Sequence, residues 1–457
     1  MSTLVAASVL VGASSASADA VTSTIALPDG ANPLNATVSA DSATTYVTAS
    51  GGVRVIDTAT GTITSTIAVG SSPQGIALSP DGTMLVTANA GSANVSVISL
   101  PTNTLLATVA AGPGSFDVVI SPDSRYAYVA NQVSSPPSVS VIDLDSLTNV
   151  GSITGVGSYP TGIAMTADGT TLVTANYVGN SVSIIDVATR TVVANVAGVP
   201  DAGRVSISPD GTTAYVTNYS ASTISVIDLV TRTLSGAIPV GFQPFAVRFA
   251  ADGLSAYVAN LNANFVSVID VASATVRSTI ATTRGAVTLA VAPDGGAVYA
   301  AHSGTPGGFP YDEPGEPPFI SVISLTPTVE STTPPAAVIG SPFSFQIEAT
   351  GSPTCELASG TLPPGLTLDA ATGEIVGMPT TAGTYAFTVS VTNAGESTTV
   401  SFSITVSAAA GGPASPELAD TGADALAPAL VAVVLMLTGS LMLFARLRPG
   451  AVARRSS

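Results

Sequence analysis

A short turn returns along the chain at nearly constant spacing: Ala40-Asp41-Ser42, Pro80-Asp81-Gly82, Pro122-Asp123-Ser124, Ala167-Asp168-Gly169, Pro209-Asp210-Gly211, Ala251-Asp252-Gly253 and Pro293-Asp294-Gly295. The aspartates stand 40, 42, 45, 42, 42 and 42 residues apart. One such unit cannot bury an apolar face by itself, so neighbours must stack. A period near 42 fits four short strands per propeller blade. Each period carries the same parts. An apolar strand such as Gly75–Leu78 leads into the turn, where glycine accepts a positive φ and aspartate bonds nearby amides. A second strand follows (Leu85–Asn89, Tyr215–Asn218, Tyr257–Asn260). A third alternates Val and Ile (Val139–Asp143, Val182–Asp186, Ile224–Asp228, Val266–Asp270), as suits a strand packed between blades. Ile63–Val69 typifies the fourth.

The register also predicts how the ring closes. The seventh period has three strands, Val287–Ala292, Ala297–Ala301 and Phe319–Ser324, and then stops. Thr22–Leu27 matches Thr64–Val69 and is expected to supply the missing fourth strand, which removes the open edge. At Tyr215-Val216-Thr217-Asn218 the chain resembles the YVTN family of propeller repeats, found in archaeal and bacterial surface-layer and secreted proteins. The resemblance covers 22–325 and implies an all-β, seven-bladed β-propeller. From 328 to 407 the text Leu362-Pro363-Pro364-Gly365-Leu366, Thr372-Gly373-Glu374-Ile375 and Gly383-Thr384-Tyr385 resembles the Ig-like modules of bacterial surface proteins. It implies a small β-sandwich acting as a spacer. A flexible small-residue linker, 408–417, follows.

Both ends read as targeting segments. Residues 1–18 are an apolar run closing on Ala16-Ser17-Ala18, a signal peptide cleaved before Asp19. It lacks a basic first segment, which points to a start further upstream. At the other end, 425–445 is free of charge and long enough to span a bilayer as a helix. Arg446, Arg448, Arg454 and Arg455 follow and place that end in the cytoplasm. Directly before it, Leu418-Ala419-Asp420-Thr421-Gly422 resembles a sortase cell-wall sorting signal, with alanine where the usual motif has proline, as in the variant of high-GC Gram-positive bacteria. The resemblance implies cleavage after Thr421, its attachment to peptidoglycan, and a transmembrane helix confined to the precursor. Sortase and peptidoglycan are thus the partners expected at this end.

Composition narrows the function. The net charge is −17, which turns away nucleic acid and anionic membrane. Lysine is absent, so no phosphate-binding P-loop exists; a histidine-based metal site would need several histidines; and a nucleophilic triad needs a base beside the nucleophile, where the chain has the single His302 and no G-x-S-x-G. Cys355 is the one cysteine and reads as a buried free thiol. No catalytic residue is assigned. Among the function classes, a wall-displayed, non-enzymatic module for adhesion or recognition of a protein or glycan stands ahead of a structural surface-layer component. An extracellular lactonase- or lyase-like propeller enzyme comes last.

Two regions stand out as candidate sites. The loop Ser303–Pro318 is far longer than its counterparts and holds Asp312, Glu313 and Glu316 beside Phe309 and Tyr311. Clustered carboxylates are calcium chemistry, so these three form the candidate calcium site; no other cofactor is expected. Strand order further places the second-to-third loops and the blade-to-blade connections on one face of the disc. That face collects Phe116, Asp117, Tyr159, Tyr177, Arg204, Tyr219, Phe242, His302 and Tyr311 as the candidate binding surface.

Overall fold

The computed structural model describes residues 19–304, 317–331, 333–351, 353–393 and 396–408. It is all-β, with seven four-stranded antiparallel sheets followed by a four-stranded and a three-stranded sheet. Blade one shows the common plan in the strands Pro33–Val38, Thr44–Ala49, Gly52–Asp57 and Thr62–Ile67. In the seventh sheet the order is Ala20–Ala26, Phe319–Ser324, Ala297–His302, Thr288–Val291. The N-terminal strand therefore pairs antiparallel with the third strand of the last blade, Ile25 opposite Ile320 and Ala26 opposite Phe319.

The alternating sequence of each blade decides where the core lies. Along Phe265–Asp270, Val266, Ser267, Val268 and Ile269 have no exposure, whereas the outer strand Thr275–Ala281 buries chiefly Ile280. The apolar clusters mix neighbouring blades: Ala259, Val266 and Val268 of blade six pack with Leu289, Val298 and Ile323 of blade seven. At the seam, Ile25 and Ile320 of blade seven join Val47 and Ile56 of blade one. Each such buried aliphatic side chain contributes about 1.5–3 kcal/mol, and the sum is what closes the ring without a disulfide.

The recurring polar residues have local duties. In the turn, Ser208 Oγ donates to Asp210 Oδ1 at 2.6 Å, and Thr212 N donates to the same oxygen at 3.0 Å. These bonds hold the Asp210 carboxyl below the usual carboxylate range, the Ser208 hydroxyl first. In blades two, three, four and six the asparagine ending the second strand bonds the serine of the third: Asn89 to Ser96 at 3.0 Å, Asn131 to Ser140 at 2.9 Å, Asn176 to Ser183 at 2.9 Å, Asn260 to Ser267 at 3.0 Å. A glycine of the incoming connection lies against that amide. A Cβ on Gly112 would stand 2.3 Å from Asn131 Cγ.

The Ig-like domain is a sandwich of the sheet Ala337–Val338, Glu396–Ser407, Gly383–Asn393, Thr354–Gly360 and the sheet Phe343–Gln346, Glu374–Gly377, Leu366–Leu368. Cys355 lies in its core with Phe387, Phe402 and Ile404 as the buried free thiol the sequence leads one to expect, and burial pushes the thiol up. The sandwich docks on the aspartate turns of blades six and seven. Asp252 Oδ2 accepts from Gly351 N, and Asn393 Nδ2 donates to Gly295 O at 2.9 Å. Arg277 and Glu330 form an ion pair at 3.2 Å.

Candidate functional site

The inner strands of the seven blades face one axis, and their side chains decide what fills it. Six residues before each turn aspartate stand Asn35, Gly75, Asp117, Gly162, Arg204, Ala246 and Thr288. Small and large residues alternate because the space admits only some of them: a Cβ on Gly75 would lie 2.6 Å from Asp117 Cα, and one on Gly162 would lie 2.9 Å from Arg204 Cα. Two residues further along the strand, on the same face, blade six places Arg248.

These groups form a polar plug. Arg204 Nη1 meets Asp117 Oδ2 at 2.9 Å with both side chains nearly out of solvent, and donates to Thr161 O at 3.3 Å. Ile163 N donates to Asp117 Oδ2 at 3.3 Å. Asn35 Oδ1 accepts from Thr288 Oγ1 at 3.2 Å and Arg248 Nη2 at 3.3 Å. Asp117 lines a cavity opening among the aspartate turns, and Arg204 lines another on the opposite face, so their ion pair lies between the two.

The second cavity, about 300 Å³, is aromatic. Phe116, Tyr159, Tyr177, Tyr219 and Phe245 line it with Gln132, Thr161, Arg204 and Thr217. The Arg204 guanidinium lies 4.9 Å from the centre of the Phe116 ring, and Tyr219 meets Phe245 edge-on at 6.3 Å. Tyr159 sits in the left-handed region, φ 63°, where Gly114 sits in the connection before. A tyrosine held there costs about 1–2 kcal/mol relative to a relaxed backbone, a cost shared by the matching connections, where Ser72, Asp201 and Gln243 also have positive φ.

The sequence-expected face thus divides. Phe116, Tyr159, Tyr177, Arg204 and Tyr219 converge on one cavity. Asp117 is beneath it as the partner of Arg204. Phe242 is on the surface, 51% exposed, but does not line the cavity. His302 is not on the binding surface: it has no exposure and takes the asparagine's place in blade seven. Its Nδ1 donates to Gly285 O at 3.0 Å and its Nε2 accepts from Ser321 Oγ at 2.9 Å, since a carbonyl can only accept. Burial pushes its pKa down to about 4.

Tyr311 and the candidate calcium ligands Asp312, Glu313 and Glu316 lie outside the described residues, as do Leu418, Ala419, Asp420, Thr421 and Gly422 and the spans 1–18 and 425–445. Of the long loop, the two described ends are pinned together, Arg284 donating to Ser303 O at 3.1 Å and Pro317 O at 2.6 Å. Among the described residues no helix is long and apolar enough to cross a membrane, and no group of three His, Cys, Asp or Glu side chains could hold a metal ion. Sequence reasoning missed Phe245, Asn35 and Arg248. The signal for Asn35 and Arg248 was there, in a comparison of the seven axis-facing positions counted back from each aspartate.

The arrangement defines a seven-bladed β-propeller with an Ig-like domain, bearing an aromatic cavity fit for recognition. Comparison with known proteins agrees in part. Residues 104–199 match the family described as "Lactonase, 7-bladed beta-propeller", and residues 326–407 match the family described as "Putative Ig domain". A solved chain titled "Kuenenia stuttgartiensis Hydrazine Synthase" superposes with a TM-score of 0.56 at 22% identity, over 62% of this chain and 95% of that one. At that identity the likeness is one of fold. No curated protein matches the chain.

Proposed function

We propose that this chain is a surface-displayed recognition protein whose YVTN-type propeller presents the aromatic cavity to a protein or glycan ligand without catalysing a reaction. In this reading, 1–18 exports the chain, the Ig-like domain spaces the disc from the wall, and sortase joins Thr421 to the peptidoglycan of a high-GC Gram-positive bacterium. The observation that carries it is the convergence of Phe116, Tyr159, Tyr177, Tyr219 and Phe245 around Arg204. Aromatic anchors beside a guanidinium are the residues that dominate binding surfaces. The sole histidine supports the non-enzymatic reading, because it is spent on holding the incoming connection at Gly285 and the third strand at Ser321. The test is binding of the full chain to glycan and protein arrays, compared with a Tyr159→Ala/Tyr219→Ala variant of unchanged melting temperature. A loss of roughly tenfold or more in affinity is expected; an unchanged binding profile overturns the reading.

A second reading, a lactonase-like extracellular enzyme, is favoured by the family match over 104–199. Turnover of aliphatic or sugar lactones by the purified chain would replace the first reading with this one.

A further inference from the structure

We infer that the channel cavity on the aspartate-turn face is a binding site for a small organic carboxylate, held by the guanidinium of Arg248. The cavity measures about 750 Å³, large enough for a small metabolite-sized ligand. Asn35, Asp117 and Arg248 stand at its inner end, and Thr37, Ser39 and Ser206 add polar groups along the wall.

The charges at its inner end do not balance; the further carboxylate that lines the cavity, Asp41, is exposed in the turn at its mouth. Asp117 and Arg204 are the charged groups that act on Arg248, and Asp117 is already joined to Arg204 at 2.9 Å. Among the described residues Arg248 has no carboxylate within ion-pair distance. Its Nη1 donates to Val247 O at 3.0 Å and its Nη2 to Asn35 Oδ1 at 3.3 Å, an oxygen that also serves Thr288 and Ala36. A guanidinium offers five N–H donors, so among the described residues most of this fork has no acceptor.

At the inner end of the cavity two guanidiniums face one carboxylate, which leaves the charge of the half-buried Arg248 without a paired anion in the protein, and an anion entering the cavity would complete it. Burial pushes the Arg248 pKa down, and the neighbouring Arg204 adds to this while Asp117 opposes it. A monocarboxylate supplies the single negative charge and two in-plane oxygens that match the fork. The hydroxyls of Thr37 and Ser206 leave room for a polar body on the ligand. The site is separate from the aromatic cavity and does not depend on what binds there.

The experiment is calorimetric titration of the full chain with acetate, benzoate and glucuronate, set against acetamide, benzamide and glucose, with inorganic phosphate as a further arm. Saturable binding of at least one carboxylate, absent for its neutral counterpart, is expected. Arg248→Met should weaken it by about tenfold or more, Arg248→Lys by less, and Tyr159→Ala in the other cavity not at all. The lysine variant keeps the charge in the channel and serves if the methionine variant does not fold. Binding to none of the carboxylates, equal binding of the neutral counterparts, or affinity unchanged in both Arg248 variants overturns the proposal. Binding of phosphate in place of carboxylates overturns the ligand class.

Discussion

At the scale of single residues, the recurring Asn–Ser bond explains why so many side chains of the second and third strands are polar yet buried. The connection that crosses from the previous blade donates to this pair, Gly112 N to Asn131 Oδ1 but Gly70 N to Ser96 Oγ and Gly157 N to Ser183 Oγ, and glycine is the residue that lets it approach. His302 performs the same service with a ring that can titrate. Its pKa is about 4 when folded, against the ordinary histidine value near 6.5. A depressed histidine pKa means the unfolded chain binds the proton first, so its stabilisation is complete above pH 6.5 and is lost as pH falls towards 4. The loss amounts to roughly 3 kcal/mol over that window. The turn aspartates act lower, since their depressed pKa values remove stability only as pH falls below the usual carboxylate value. Urea unfolding between pH 7 and 4 should therefore show a decline that His302→Asn abolishes, with stability at pH 7 changed little. A second residue-scale expectation concerns Gly162, whose Cβ would press on the backbone of Arg204. Gly162→Ala should lower stability by about 1–3 kcal/mol and disturb the Arg204–Asp117 pair, whereas Gly82→Ala, in open space at φ 71°, should show only the backbone cost.

At the scale of the strand, the closing element is the vulnerable one. Ala20–Ala26 contributes Ile25 to the seam cluster, and its backbone covers the third strand of blade seven. Deletion of 22–27 should expose that edge and lower the melting temperature by several degrees or more, with increased aggregation. An unchanged melting curve argues that the seam is held by something else. The strands and their order were legible because period and turn chemistry repeat seven times, so each blade checks the others. The N-terminal strand was legible through its match to Thr64–Val69. The cavity was legible only in part. Aromatic residues in the connections announce themselves, but the plug of Asn35, Arg204, Arg248 and Thr288 needs seven positions compared around an axis that no single blade contains. His302 misled because an exposed-looking strand end is buried by the crossing connection. Phe242 is exposed, as expected of a residue on that face, but does not line the cavity.

At the scale of the whole molecule, the Ig-like domain is more than a tether beyond the disc. The turn of blade six spends Asp252 Oδ1 on its own Leu254 amide and Oδ2 on Gly351. Gly295 of blade seven lies so near that a Cβ there would stand 2.1 Å from Gly351 O. The two bodies should thus melt together. Asp252→Ala with Arg277→Ala is expected to split one calorimetric transition into two, the sandwich leaving first. A single unshifted transition would place the coupling elsewhere in the interface.

The pairing of residue 20 with residue 324 also sets a timetable. A chain made from its N-terminus holds the closing strand from the outset but cannot use it until three hundred further residues have emerged. Early blades can stack as they appear, yet the first strand has no mate in any of them. The nascent chain must wait with one strand idle, and late-arriving contacts of such long sequence separation form slowly. The ring is locked by its oldest segment meeting its youngest.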